Sequence, residues 1–231
     1  MKYFILVALL SISNFAFTQY AIIQADSVNV LSEANNKDEI IATLEKGEII
    51  YVFKFENEGS YYLIEVEKDN AKITGYIKIN QFDYLFMAFD YDAFYLKPEI
   101  IKSGISSKFQ YGIFSVFISK KIFTENENNI EYKDNFVEKI NGETPYGIDG
   151  NLPKFQYDEI IFLKGKEQIR IPKSTYDNLY EPSLELITIL HDESTDTVYL
   201  KVDNSDAAGA YTVLWIFKNG IFERQLLTIP F

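Results

Sequence analysis

The chain has 231 residues, with 22 Lys and Arg against 34 Asp and Glu, a formal net charge of -12, one His and no Cys. At 47% hydrophobic and 24% charged residues, its composition is that of a globular protein. The negative charge disfavours nucleic acid as a partner. The absence of Cys excludes disulfides, thiolate nucleophiles, cysteine zinc sites and a lipidated N-terminal Cys, and a single His excludes sites that need two imidazoles.

Met1–Thr18 has the features of a secretory signal peptide. Lys2 supplies a positive start, an apolar stretch follows, and Ala16 and Thr18 are small residues at the -3 and -1 positions of a cleavage site. The alternative is a membrane anchor, but the apolar stretch is shorter than the roughly 20 residues of a spanning helix. We therefore predict an exported protein, periplasmic or extracellular, that is not a lipoprotein and has no membrane contact after cleavage.

The rest of the chain has the pattern of an all-β protein, because alternating apolar segments are separated by turn residues about every ten positions. Asn219-Gly220 can occupy the two positive-φ positions of a type I′ turn, which predicts a hairpin there. Two short helices are also expected, at Lys97–Ser103 and Ser174–Tyr180. The segments predicted to be strands are Ile49–Phe55, Tyr61–Val66, Tyr111–Ile118, Glu159–Leu163, Leu184–Leu190, Thr197–Val202, Tyr211–Phe217 and Ile221–Ile229.

We divide the mature chain into a small β-barrel domain at 19–87, an aromatic connector with a short helix at 88–104, and a second β-rich domain at 105–231. The second domain is expected to be antiparallel, as a meander or a sandwich. The stretch 82–95 is the densest in aromatic residues. We interpret it as a seam between the domains, since each buried aromatic side chain supplies roughly 150–250 Å² of contact. The alternative is a stacking platform for sugar or peptide.

Four ordered motifs in residues 26–84 resemble the bacterial SH3-like domain, a small β-barrel common in exported proteins. They are Val28-Asn29-Val30 followed by Ser32, then Ile40–Gly47, Gly59–Val66 and Thr74–Ile77. In chain order, these four segments match the first strand of the family, its I-x-x-L-x-K-G turn, its strand that begins Gly-Trp-Tyr and its Thr-Gly-Trp-Val strand. The resemblance implies a barrel that binds a cell-wall peptide or a protein partner.

The chain departs from the family pattern where the family has Arg and two Trp residues: it has Leu31, Tyr61 and Tyr76. We predict that these three residues and Glu33 form a binding rim. For the two tyrosines the alternative is packing in the barrel interior, with the hydroxyls at the rim.

A second group of predicted binding residues lies in the loop Asn141–Lys154, which is rich in Gly and Pro and therefore expected on the surface. Tyr146 and Asp149 are its candidates. No metal site or cofactor is predicted. Asp203 and Asp206 share a loop that could hold Ca²⁺, but it lacks the dense spacing and trailing Glu of a calcium-binding loop. A polar turn is the favoured interpretation.

Catalytic motifs are sparse. A papain-like peptidase needs Cys, a zinc peptidase needs at least two His in most designs, and no G-x-S-x-G elbow accompanies His191. We interpret His191, beside Asp192 and Glu193, as a solvated loop residue. The predicted function is a non-catalytic binding or adaptor protein of the cell envelope, engaging a protein or cell-wall peptide through the SH3-like domain. Two alternatives are an inhibitor or immunity-type protein against a secreted toxin or envelope hydrolase, and a carboxylate-based glycosidase.

Overall fold

The computed structural model describes residues 19–34, 39–69, 71–88, 99–100, 106–205 and 207–230. The predicted signal peptide and most of the aromatic connector lie outside these ranges. The fold is all-β with antiparallel sheets, as the sequence predicted. The described α-helix is the four-residue α1 (Leu85–Ala88), and 3₁₀ turns occupy Ile79–Gln81, Glu125–Glu127, Lys173–Thr175 and Ala207–Gly209.

The first unit is one seven-stranded sheet. Its strands are β1 (Gln19–Ile23), β2 (Ser27–Leu31), β3 (Ile40–Glu45), β4 (Ile49–Glu58), β5 (Tyr61–Lys68), β6 (Ala71–Lys78) and β7 (Phe82–Tyr84), paired in the order β3-β2-β6-β5-β4-β1-β7. Leu44 on one edge strand and Phe82 on the other belong to the same buried cluster, so the sheet curls around a single core.

The expected closed barrel is not found among the described residues of this unit. β1 lies between β4 and β7, and β7 pairs with β1 rather than with β3. β3 and β7 therefore remain the two edges of the sheet. β1 precedes the matched motifs, so this strand was not part of the barrel expected from them.

A glycine allows β2 to cross close to β6. A Cβ added to Gly75 would lie 2.6 Å from the Leu31 carbonyl oxygen and 2.7 Å from Val30 Cγ1. Such distances are far below van der Waals contact, so only a residue without a side chain fits here. Gly47 has φ 91° in the turn before β4, which also favours glycine. Both positions have the roles expected of them from the sequence.

The second unit contains β8 (Glu99–Ile100), β9 (Ser106–Tyr111), β10 (Phe114–Ile122), β11 (Ile130–Lys133), β12 (Phe136–Ile140), β13 (Phe155–Lys164), β14 (Glu167–Ile169), β15 (Ile187–Asp192), β16 (Thr197–Asn204), β17 (Tyr211–Lys218) and β18 (Ile221–Thr228). They form a five-stranded sheet β14-β13-β10-β9-β8, a four-stranded sheet β15-β16-β17-β18 and the hairpin β11-β12. The two larger sheets pack face to face around one core, as in a β-sandwich.

The four-stranded sheet is buried on both faces, which makes the described units three layers deep. In β17, Val213, Trp215 and Phe217 face the five-stranded sheet, while Leu214 and Ile216 face the first unit. Alternate side chains of a strand point to opposite faces. A strand covered on both sides therefore needs apolar residues at nearly every position, and β17 reads Tyr-Thr-Val-Leu-Trp-Ile-Phe before Lys218.

The seam between the two units is built mainly by β1 and β4 on one side. The Tyr20 hydroxyl donates a hydrogen bond to the Leu226 carbonyl at 3.1 Å. Of the aromatic stretch 82–95, Phe82 belongs to the first core, and Phe89 and Phe94 lie outside the described residues. The buried seam residues are Tyr20, Ile49, Tyr51, Leu85, Leu190, Tyr199, Leu214, Ile216 and Leu226.

Neither predicted short helix forms within the described residues. Glu99–Ile100 is strand β8, paired with β9. At Ser174–Tyr180 there is one 3₁₀ turn, Lys173–Thr175, after which Leu179 forms a β-bridge with Tyr146. The capping pattern is local, but those backbone groups pair with a distant segment instead. The predicted strand Tyr111–Ile118 is also divided, since Gly112 turns with φ 53° between β9 and β10.

Candidate functional site

The structure brings the predicted rim residues on strands, Leu31, Tyr61 and Tyr76, to one face of the first sheet. Tyr76 on β6 lies directly opposite Leu31 of β2 and Leu63 of β5. Gly75 and Ile77, the neighbours of Tyr76, are buried on the interior side, so these opposing side chains are on the outer face. Tyr61 is on the same face, but it is buried, with Lys78 Nζ 5.6 Å from the centre of its ring.

The half-buried Tyr76 phenol has one carboxylate at hydrogen-bonding distance and two more that act on it through their charge. Its hydroxyl donates to Glu58 Oε1 at 3.3 Å. Burial raises the pKa of Tyr76, and the negative charges of Glu58, Glu56 and Glu33 raise it further. The phenol is therefore neutral at physiological pH and sits in a negative field. We call this surface, made by Leu31, Glu33, Glu56, Glu58 and Tyr76, the Tyr76 face.

Part of this face is predictable from the sequence, and the rest is not. Leu31, Glu33 and Tyr76 were predicted from the family pattern. Glu56 and Glu58 were not, because they lie at the far end of β4 and join the face only through the pairing of β4 with β5. Tyr61 is buried on the outer face, and not in the interior that was the alternative considered for it.

A second candidate is a cleft of about 530 Å³ beside the loop 141–154, here called the loop cleft. Asp149 lines it. Tyr146 is not among its lining residues: its backbone pairs with Leu179, and its ring packs 6.4 Å from that of Tyr211. The two groups of predicted binding residues therefore belong to different units of the fold. The lining residues are Gly147, Ile148, Asp149, Asn151, Leu152, Pro153, Lys154, Glu181, Ser183, Ser205, Ala208 and Gly209.

Tight backbone packing forms one wall of the loop cleft. A Cβ on Gly147 would lie 2.2 Å from the Tyr180 carbonyl oxygen, and one on Gly209 would lie 3.1 Å from the Gly147 carbonyl. The Ser205 hydroxyl donates to the Gly147 carbonyl at 3.0 Å. Glu181 Oε1 accepts hydrogen bonds from the backbone N–H groups of Lys154 and Phe155. Glu181 and Ser205 are not predictable from the sequence, because no motif links them to the loop.

The single His is part of a charged network rather than a solvated loop residue. His191 Nε2 lies 3.2 Å from Asp196 Oδ1, and its ring packs edge-on against Phe114 at 4.8 Å between centres. Lys164 donates to the same carboxylate at 2.6 Å. The hydrogen bonds from Lys164 and then His191 hold the pKa of Asp196 below its ordinary value. The expectation of a solvated His is corrected, because the chain turns Asp196 back onto the ring.

In the loop considered as a possible calcium site, the Asp203 carboxylate already accepts hydrogen bonds from other side chains. Asp203 accepts from Lys201 Nζ and from the Thr212 hydroxyl, both at 2.7 Å. Asp206 lies outside the described residues. Within the described ranges, no group of three or more His, Asp or Glu side chains is placed to hold a metal ion.

Comparisons with known proteins do not identify this chain: no family model, no curated protein and no solved structure matches it. Among the helices in the described part of the chain, none has the length and apolar character required to cross a membrane.

Proposed function

We propose that this chain is an exported, non-catalytic binding protein that captures a basic protein or cell-wall peptide through the Tyr76 face. The observation that carries the proposal is the aromatic ring of Tyr76, which is hydrogen-bonded to Glu58 and lies opposite apolar Leu31, with the negative charges of Glu56 and Glu33 acting on it as well. Lys and Arg side chains can make two kinds of contact with such a surface. Their charge pairs with the carboxylates, and the aromatic face attracts cations.

The charge of the whole chain supports the same partner. With residues 1–18 removed, one Lys is lost, and the net charge becomes (22 - 1) - 34 = -13. A field of that sign speeds encounter with a basic partner at low salt. Because exposed charges are screened beyond about 8 Å at physiological ionic strength, association should slow as salt rises.

We also propose that the chain has no catalytic role. The contacts of His191, the single histidine, support this. His191 binds Asp196, which also binds Lys164, so the ring serves to link structural elements. The alternative function, inhibition of a basic envelope hydrolase, would use the same Tyr76 face to bind the enzyme.

The test measures binding of a fluorescein-labelled ten-residue Lys peptide by anisotropy, at low and high salt. The variant Glu33→Gln/Glu58→Gln should bind about tenfold more weakly than the parent. Its matched control is Glu125→Gln/Glu127→Gln, which removes the same charge from a 3₁₀ turn of the other unit. Equal weakening by both pairs would mean that net charge alone acts, and the proposed face would be wrong.

Tyr76→Phe separates binding from packing at the same face. The substitution keeps the ring and removes the hydroxyl that donates to Glu58. We expect weaker capture of the peptide with little change in melting temperature. A lower melting temperature with unchanged capture would assign Tyr76 to packing instead.

A further inference from the structure

The chain contains two Asn-Gly pairs, and both are in tight turns of the second unit. Asn219 and Gly220 connect β17 to β18 and have φ 52° and 74°. Asn141 and Gly142 follow β12 directly and have φ 55° and 85°. Positive φ at two successive residues is the mark of a type I′ turn. The two pairs therefore share the same dipeptide and the same backbone conformation, and they differ in what surrounds them.

An Asn followed by Gly can lose its side-chain amide without any enzyme. The glycine N–H gives up its proton to a base in solution, its nitrogen attacks Cγ of the Asn, and the Cγ–Nδ2 bond breaks. The departing nitrogen takes up a proton and leaves as ammonia. Water then opens the resulting five-membered succinimide at either carbonyl, which gives Asp or isoaspartate. Glycine favours this reaction because it has no Cβ to hinder its nitrogen, and Asn is a labile residue type.

The Asn219 side chain is unrestrained at the tip of its hairpin. It is exposed, and it forms no hydrogen bond with another described residue. The Gly220 N–H likewise donates to no carbonyl of the described chain. A Cβ placed on Gly220 would meet no atom within 4 Å, so the space around the reacting nitrogen is open. Nothing in this turn therefore keeps Cγ of Asn219 away from that nitrogen.

Asn141 is also exposed, but its side chain is held at both ends. Its Oδ1 accepts the Asn129 N–H at 2.9 Å, and its Nδ2 donates to Asn128 Oδ1 at 2.8 Å. The Asn141 N–H donates to the Asn129 carbonyl at 2.8 Å as well. Moving Cγ toward the nitrogen of Gly142 breaks the two side-chain bonds. Two hydrogen bonds of ordinary strength slow such a step by about tenfold or more.

We propose that Asn219 is a site of covalent modification, converted to Asp and isoaspartate in the folded chain, whereas Asn141 is protected by its hydrogen bonds. The reaction needs only water and a base from solution. It is independent of the Tyr76 face, which lies in the first unit.

The modification acts on the contact between the two units. Isoaspartate extends the main chain through its side-chain carbon, so a two-residue turn no longer pairs Lys218 with Ile221. The same strand, β18, supplies Leu226 to the seam with the first unit. Conversion of Asn219 therefore weakens both the hairpin and the seam, and the chain loses stability as it ages.

The test is incubation of the full chain at neutral and at alkaline pH, followed by peptide mapping with mass spectrometry. In the folded chain, we expect Asn219 to lose its amide about tenfold faster than Asn141, or more. In urea, where neither turn is formed, the two pairs should react at comparable rates. Equal rates in the folded chain, an intact Asn219, or a tenfold difference that persists in urea would each overturn the proposal.

A variant of the protected pair tests the cause of its protection. Asn128→Ala removes the acceptor of the Asn141 Nδ2 and should speed reaction at Asn141 about fivefold. The rate at Asn219, measured in the same sample, is the internal control and should not change. An unaltered rate at Asn141 would show that its hydrogen bonds do not protect it.

Asn219→Gly tests the consequence for stability. A Gly-Gly pair is compatible with the type I′ turn, and the variant has no amide to lose at this position. After incubation at alkaline pH, the melting temperature of the parent should fall by at least about 2 °C, while that of Asn219→Gly should stay constant. An equal fall in both chains would show that conversion of Asn219 does not weaken the fold.

Discussion

At the scale of single residues, Asp196 links three segments through its carboxylate and its backbone carbonyl. It accepts from Lys164 of β13 and contacts His191 of β15, while the Asp196 carbonyl accepts the Asn219 N–H from the last hairpin. Asp196 itself has φ 47° in the turn before β16, a conformation that Asp tolerates. One carboxylate in a tight turn therefore ties the two sheets of the second unit together.

This network predicts how stability depends on acid. The pKa of Asp196 is lower in the folded chain than its ordinary value, because Lys164 and His191 bind the ionised form. The carboxylate therefore stabilises the fold above its unfolded pKa of about 3.9, and this contribution is lost as pH falls through the folded pKa. We expect Asp196→Asn to lose less stability than the parent between about pH 5 and pH 2. Urea unfolding at each pH measures this, with Asp177→Asn as the control; parallel curves for parent and Asp196→Asn would contradict it.

At the scale of elements, the hairpin β17–β18 is the clearest success of sequence reasoning. Asn219 has φ 52° and Gly220 has φ 74°, as the predicted type I′ turn requires. Phe217 and Lys218 pair with Phe222 and Ile221 across it. The signal was strong because two adjacent residues that tolerate positive φ stand between two apolar strands.

Gly220→Val should destabilise the chain by about 1–3 kcal/mol. A Cβ at Gly220 meets no atom within 4 Å, so the cost arises from backbone strain and not from a clash. The denaturation midpoint measures the effect, and Lys218→Val, on the adjacent exposed strand position, is the control. A midpoint equal to the parent's would show that this turn does not limit stability.

At the scale of the whole molecule, the four-stranded sheet joins the two units because it is apolar on both faces. Its inner face packs on the five-stranded sheet, and its outer face packs on β1 and β4 of the first unit. Tyr20 is 3% exposed at the centre of this contact, and its hydroxyl donates to the Leu226 carbonyl. The units are therefore expected to unfold together.

Tyr20→Ala tests that coupling, since the single Trp, Trp215, is fully buried in the core of the other unit. We expect the substitution to lower the free energy of unfolding reported by Trp215 fluorescence by about 3–5 kcal/mol. Tyr20→Phe, which keeps the ring and loses the hydrogen bond, should cost about 1 kcal/mol. An unchanged Trp215 transition in Tyr20→Ala would show that the two units unfold independently.

The sequence by itself determined the fold class, most of the strands and the sharpest turn of this protein. Alternation of apolar residues and the chemistry of Asn-Gly and Gly turns are local properties, so they can be read without knowing what a strand pairs with. The Gly- and Pro-rich composition of one loop also located Asp149 as a surface candidate, whereas Leu31 and Tyr76 came from the resemblance to the SH3-like pattern.

Only the tertiary structure decided how these pieces meet. β1 pairs between β4 and β7 in the first sheet, Glu99–Ile100 forms strand β8, and the Asp196 carboxylate contacts His191. Glu58 joined Tyr76, and Phe136 came to rest on Gly150, through pairings between segments that no short pattern connects. Strand pairing and the packing of sheet faces depend on contacts between residues far apart in the chain. Where these contacts bury more apolar area, they override the local preference of a segment for helix or strand.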